Sequence, residues 1–184
     1  MFNPPHVGHL VCAQEARWQL ELGEVRLMPV GQAPHRPIEH DPGPEERFEL
    51  CRLAAEGVDW LTASRDEVDR PGPSYTADTL ERMQDAELYF VLGADQALRL
   101  AQWHDPERVL RVATLAIAER EGVSIDDVRA AVSAVGEARV EAFAMPRIDV
   151  SSTEVRRRVA EGHPYRFLVP ERVADRIERT GLYR

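Results

Sequence analysis

One uninterrupted apolar run, Leu88-Tyr89-Phe90-Val91-Leu92, and a second broken only by Thr114, residues 113–118, stand in a chain whose other hydrophobic residues recur at helical or short strand-like spacings. A strand that is apolar at every position offers no face to water, so such runs are expected to be buried on both faces between layers of helices. Around them the two periods alternate. The spacing predicts a helix with Leu10, Val11, Ala13, Ala16, Trp18 and Leu20 on its buried face, ending near Gly23, then a strand over 25–30. Gly31 to Pro44 reads as a Pro/Gly/His-rich loop, long enough to be functional rather than a plain connection. Further helices are expected over 45–56, 75–84, 95–100, 106–111, 125–135, 152–160 and 171–180, and strands over 60–64 and 140–144. The alternation implies an α/β fold, a doubly wound parallel sheet whose ligands bind at the carboxyl ends of the strands.

At 184 residues the chain is expected to form a single domain. A net charge of −9 argues against a nucleic-acid surface, which needs a basic patch, yet leaves room for small anionic ligands. There is no lysine, so any phosphate clamp must be arginine, histidine or backbone N–H. Cys12 and Cys51 lie far apart in helical patterns and read as buried, reduced thiols. With no signal peptide and no membrane-length apolar run, a soluble, cytoplasmic protein is expected, with no membrane partner. A homo-oligomer is compatible with the sequence.

Chemistry concentrates at the two ends. Asn3-Pro4-Pro5-His6-Val7-Gly8-His9 presents two imidazoles at a helix start, where unpaired N–H groups and the macrodipole attract phosphate. Gly8, lacking Cβ, is expected to let a ligand approach the backbone. Cys12 one turn on raises a metal site, but structural zinc sites show a second ligand pair and none is visible. At the other end Ser151 and Glu154 form a capping box. Ser152, Thr153 and Arg156 then share one helical face. Cations are disfavoured at a helix N-terminus, so Arg156 and Arg157 there call for an anion, and phosphate would supply one.

These two elements resemble the H-x-G-H and S-x-T-x-x-R signatures of the nucleotidyltransferase superfamily. Residues 33–37 (Ala-Pro-His-Arg-Pro), 73–80 (Pro-Ser-Tyr-Thr-Ala-Asp-Thr-Leu), Leu92-Gly93-Ala94-Asp95, Leu168-Val169-Pro170 and Gly181-Leu182-Tyr183 are similar, in order, to bacterial nicotinate-mononucleotide adenylyltransferases. The resemblance implies a Rossmann-like nucleotidyltransferase fold, with the helices from about residue 151 completing an ATP site. It implies transfer of AMP from ATP to nicotinate mononucleotide by direct in-line attack, with Mg²⁺ held transiently by phosphates. By motif position, His6, His9 and Arg156 would be catalytic, and Gly8, Asp95, Ser152 and Thr153 would join them in binding ATP. Arg36, Tyr75, Thr76 and Trp103 would bind the mononucleotide, Tyr75 and Thr76 through backbone N–H groups and Trp103 by stacking. Taken singly, Trp103 reads as well as a core residue and Asp95 as a helix cap.

Three departures stand out. The family places a buried strand and a Gly-Gly-Thr turn before the position of Phe2. Without them two interior strands are expected to lack a neighbour and the chain starting at Met1 to be poorly stable; the alternatives are a natural start further upstream, favoured because the remaining motifs are intact, and a shortened or degraded paralogue with impaired catalysis. His104 stands where many relatives carry tyrosine, and Glu119-Arg120 replaces the usual Arg-Pro-Gly ending. The alternatives are adenylyl or cytidylyl transfer to another phosphorylated acceptor such as phosphopantetheine, and a non-catalytic nucleotide-binding paralogue.

Overall fold

The computed structural model describes residues 2–34, 38–83 and 86–184. Five strands and eight α-helices alternate along the described chain: α1 Val7–Gln19, β1 Val25–Leu27, α2 Pro44–Ala55, β2 Leu61–Ala63, α3 Thr76–Glu81, β3 Leu88–Gly93, α4 Ala94–Ala97, α5 Pro106–Val112, β4 Ala113–Ala118, α6 Ile125–Ser133, β5 Val140–Phe143, α7 Ser152–Ala160 and α8 Glu171–Thr180. Every strand pairing is parallel, in two hydrogen-bonded sets, β1-β2 and β3-β4-β5. Parallel strands flanked by helices are the α/β architecture expected. No described helix is long and apolar enough to cross a membrane.

Contacts divide the chain into two compact units: residues 1–13, 23–74 and 148–184, and residues 14–22 and 75–147. Each has its own apolar core. In the first, Leu50, Cys51, Val155, Val173 and Ile177 are sealed from water beside β1 and β2. In the second, Leu115 and Ile117 of β4 pack with Val109, Val128 and Val132.

The two apolar runs have different fates. All six residues of β4, which pairs on both sides, are buried. In β3 only Leu92 is fully buried, because among the described residues β4 is its one hydrogen-bonded neighbour. The expectation of burial on both faces therefore fails for β3. Trp18 also departs from its expected place on the buried face of α1, being 71% exposed. Five residues at about 100° each put it some 140° around the helix from buried Ala13.

Helix ends follow their local chemistry. Ser124 and Ser151 accept from first-turn N–H groups of α6 and α7. Gly181, at φ 70°, ends α8 in the left-handed conformation that glycine adopts without a Cβ clash.

Candidate active site

The opening turn of the first unit is held from several directions. The N–H of His6 donates to His9 Nδ1 at 3.2 Å, so His9 reaches back over the helix start as the N3 residue of a capping box would. With Nδ1 accepting, the neutral ring carries its proton on Nε2. The two imidazoles stack with centroids 3.7 Å apart, and the edge of Phe2 meets His9 at 4.9 Å. His9 keeps some accessible surface, yet the surrounding protein displaces enough water to lower its pKa well below 6.5, with His6 adding to the shift. His9 is thus a neutral donor at physiological pH. No acidic residue occupies the first turn of α1 to compete for its N–H groups.

A Cβ on Gly8 would lie 3.1 Å from two atoms of the His6 ring. The room left by glycine is therefore filled by the protein's own imidazole rather than held open for a ligand.

The first turn of α7 is bonded directly to this opening segment. Ser152 Oγ donates to the carbonyl of Pro4 at 2.7 Å, and Arg156 Nη1 to the carbonyl of Asn3 at 2.9 Å. Arg156 Nη2 lies 3.5 Å from Glu39 Oε2 and 3.4 Å from Thr153 Oγ1, both long contacts. Its Nε is buried and has no hydrogen-bond partner. Of the guanidinium, Nη2, with only its two long contacts, is the donor left for an anion after Nη1 fixes the loop. Half of the expected capping box is present: the Glu154 N–H donates to Ser151 Oγ. The Glu154 carboxylate pairs with Arg157 and Arg158, which hold its pKa down to about 2.

Sequence reasoning missed Asn3. It is almost wholly buried, donates to the Glu39 carbonyl at 3.0 Å, and accepts from the Tyr183 hydroxyl at 2.8 Å. Gly181-Leu182-Tyr183 was visible as a motif, but no spacing rule pairs it with the third residue of the chain.

In the second unit Asp95 follows the carboxyl end of β3, its Oδ1 2.7 Å from where a Cβ on Gly93 would stand. It lies 3.8 Å from Arg120 Nε. Arg120 also lines a groove of about 420 Å³ with Glu119, Glu121, Ile125 and Met145. Trp103 meets Phe90 edge-on at 5.8 Å and packs against the core, while Tyr75 stacks on His104 at 3.9 Å. Thr76 is the first residue of α3. Arg36 lies outside the described residues. A further groove of about 430 Å³, lined by Leu53, Arg172, Asp175, Glu178 and Arg179, contains none of the residues assigned from sequence.

The cytidylyltransferase-like family model matches residues 1–158. A relative from Roseiflexus sp. (strain RS-1), named as a probable nicotinate-nucleotide adenylyltransferase, is 39% identical over 189 aligned positions, covering 100% of this chain and 94% of its own. One of the same name from Thermus thermophilus is 38% identical, covering 100% of this chain and 95% of its own. The solved Plasmodium falciparum nicotinic acid mononucleotide adenylyltransferase, complexed with NaAD, superposes with a TM-score of 0.77 at 16% identity, covering 99% of this chain and 93% of that one. At that identity the superposition speaks for the fold, Rossmann-like with parallel strands between helices, whereas the full-length sequence matches speak for descent. The chain belongs to the nicotinate-nucleotide adenylyltransferase family, within the cytidylyltransferase-like group.

Proposed function

We propose that this protein transfers the AMP unit of ATP to nicotinate mononucleotide, giving nicotinate adenine dinucleotide and pyrophosphate in NAD biosynthesis. The observation that carries the reading is the cradle of the first unit, where Ser152 and Arg156 bond the segment that presents two stacked imidazoles. The attacking phosphate oxygen is already anionic, so the reaction needs no general base. It needs alignment with the α-phosphorus and donors for the charge that builds on the departing pyrophosphate. The Nε2–H of neutral His9 and the α1 N-terminus supply donors that are fixed before substrate arrives. Arg156 supplies the positive charge, through Nη2 once Glu39 gives way to phosphate. Ser152 and Thr153 open α7 beside it, and His6 and Gly8 hold the shape of the opening turn. The same reading gives Asp95 to the nucleotide sugar and Tyr75, Thr76, Trp103 and Arg36 to the mononucleotide. It takes the chain as one nucleotidyltransferase domain acting in the cytoplasm.

The implied Mg²⁺ fits as a cation that arrives with the nucleotide. Among the described residues no group of three or more His, Cys, Asp or Glu could hold it alone, and Mg²⁺ bound mainly by phosphates and water needs no such cage. When bound it neutralises part of the triphosphate charge. Measuring pyrophosphate release from ATP with nicotinate mononucleotide, nicotinamide mononucleotide and phosphopantetheine as separate acceptors tests the assignment. Release with the first is expected. Release with phosphopantetheine alone, or with none of the three, overturns it.

A further inference from the structure

The residues read as receiving the mononucleotide lie on two segments of the second unit, Tyr75-Thr76 ahead of α3 and Trp103 ahead of α5. One guanidinium joins both. Arg108, on α5, donates through Nε and Nη2 to the two oxygens of Glu81 at 2.9 and 2.5 Å, and through Nη2 to Asp78 at 2.9 Å. Glu81 and Asp78 are both on α3. Through Nη1 it also holds Asp105, the residue before α5, at 3.0 Å. Asp105 has φ 46°, in the left-handed region that Asp enters more readily than most L-residues. Beside this cluster the Tyr75 and His104 rings stack at 3.9 Å, a second link between the same two segments.

Exposed single ion pairs contribute little, but a forked arginine that closes a network of carboxylates is the exception. Without Arg108 the carboxylates of Asp78, Glu81 and Asp105 would lose their shared cation and repel one another across the junction. We propose that Arg108 is the positioning residue of the mononucleotide site, setting the Tyr75-Thr76 segment against Trp103-His104. The proposal rests on the functional reading above. Arg108 itself touches no substrate in it.

Steady-state pyrophosphate release, varying each substrate in turn, tests this with Arg108→Met, Arg108→Lys, Glu81→Gln and the Arg108→Met/Glu81→Gln pair, each checked for folding by circular dichroism. Arg108→Met is expected to raise KM for nicotinate mononucleotide about 5- to 20-fold while KM for ATP stays within about twofold. Arg108→Lys should recover part of the loss, since one ammonium cannot span three carboxylates. The double variant should be no worse than Arg108→Met, because both changes cut one link. Should Arg108→Met not fold, Asp78→Asn/Glu81→Gln severs the same junction from α3 and should show the same split. A mononucleotide KM within twofold of wild type, an equal rise in both KM values, or a fall in kcat alone overturns the proposal. Wild-type protein inactive with nicotinate mononucleotide would overturn the functional reading itself, an outcome distinct from all of these.

Discussion

Arg156 Nη1 donates to the carbonyl oxygen of Asn3 at 2.9 Å, joining residues 153 positions apart. The bond makes one side chain answerable for two things, the shape of the opening turn and the positive charge beside it. Arg156→Ala should therefore cut kcat/KM about 100-fold or more, the scale of removing one fixed donor to a developing anion. It should also cost about 1–3 kcal/mol of stability, because a buried carbonyl loses its partner. Arg156→Lys keeps the charge and loses the fork, so it should recover more stability than turnover. Pyrophosphate release and urea unfolding measure the two effects, and wild-type turnover in Arg156→Ala would remove it from the chemistry.

His9 gives a pH signature of definite sign. Its folded pKa is depressed by burial, so between that value and about 6.5 the unfolded chain binds a proton that the native state does not. Its contribution to stability is therefore complete above pH 6.5 and is lost as pH falls below it, at no more than about 1.4 kcal/mol per pH unit. His9→Gln should flatten this part of the profile, read from urea midpoints at pH 7.5, 6.5 and 5.5. Because the ring stays neutral above pH 6.5, its titration should leave no step in kcat there. The same variant should lower kcat by about 10²–10³ if Nε2–H is a donor to the transition state.

What could be read beforehand was local. The start of α7 and the end of α8 follow from Ser151 as cap and Gly181 as stop, and the burial of β4 follows from a run that is apolar except at Thr114. What could not be read depends on neighbours distant in sequence. The part-exposure of β3 is set by which strands pair with it, and Trp18 faces water despite its apolar side chain. Polar partners such as Asn3, Glu39 and Tyr183 carry no periodicity, so their convergence is invisible in a linear pattern. Gly8 was legible as a close approach, but not that the approaching group is His6. Arg47 reads as one more charged helical residue, and in the fold it is wholly buried.

That burial sets a stability test. Arg47 donates to the carbonyls of Val30 and Gly31 at 2.7 and 2.8 Å and pairs with Asp41, bracing the start of the long loop. Arg47→Met should cost about 1–3 kcal/mol, the scale of leaving sequestered carbonyls without their donor, since the part-exposed Asp41 carboxylate can return to water. Urea unfolding reads the loss, and an unchanged midpoint would show that the loop start does not depend on Arg47.

Gly31, in the same loop, faces a different limit. A Cβ there would stand 2.0 Å from the Glu67 carbonyl oxygen, a backbone atom that cannot swing aside. Gly31→Ala should lower stability by about 1–3 kcal/mol through this overlap alone. Chemical unfolding measures it, and an unchanged midpoint would show that the loop shifts freely.

The last expectation concerns the cation. Because the described residues offer no cluster of ligating side chains, Mg²⁺ should bind this protein only together with a polyphosphate. Equilibrium dialysis without nucleotide should find no retained Mg²⁺, and Mg²⁺ alone should barely move the thermal midpoint. MgATP at about 100 times its dissociation constant should stabilise by about 2.7 kcal/mol. In a chain of this size that corresponds to roughly 5–10 °C. EDTA should stop pyrophosphate release and added Mg²⁺ restore it without refolding. Tight Mg²⁺ retention by the nucleotide-free protein would instead require a carboxylate site of its own, and the cradle at Arg156 and His9 would then share the phosphate charge with a resident metal.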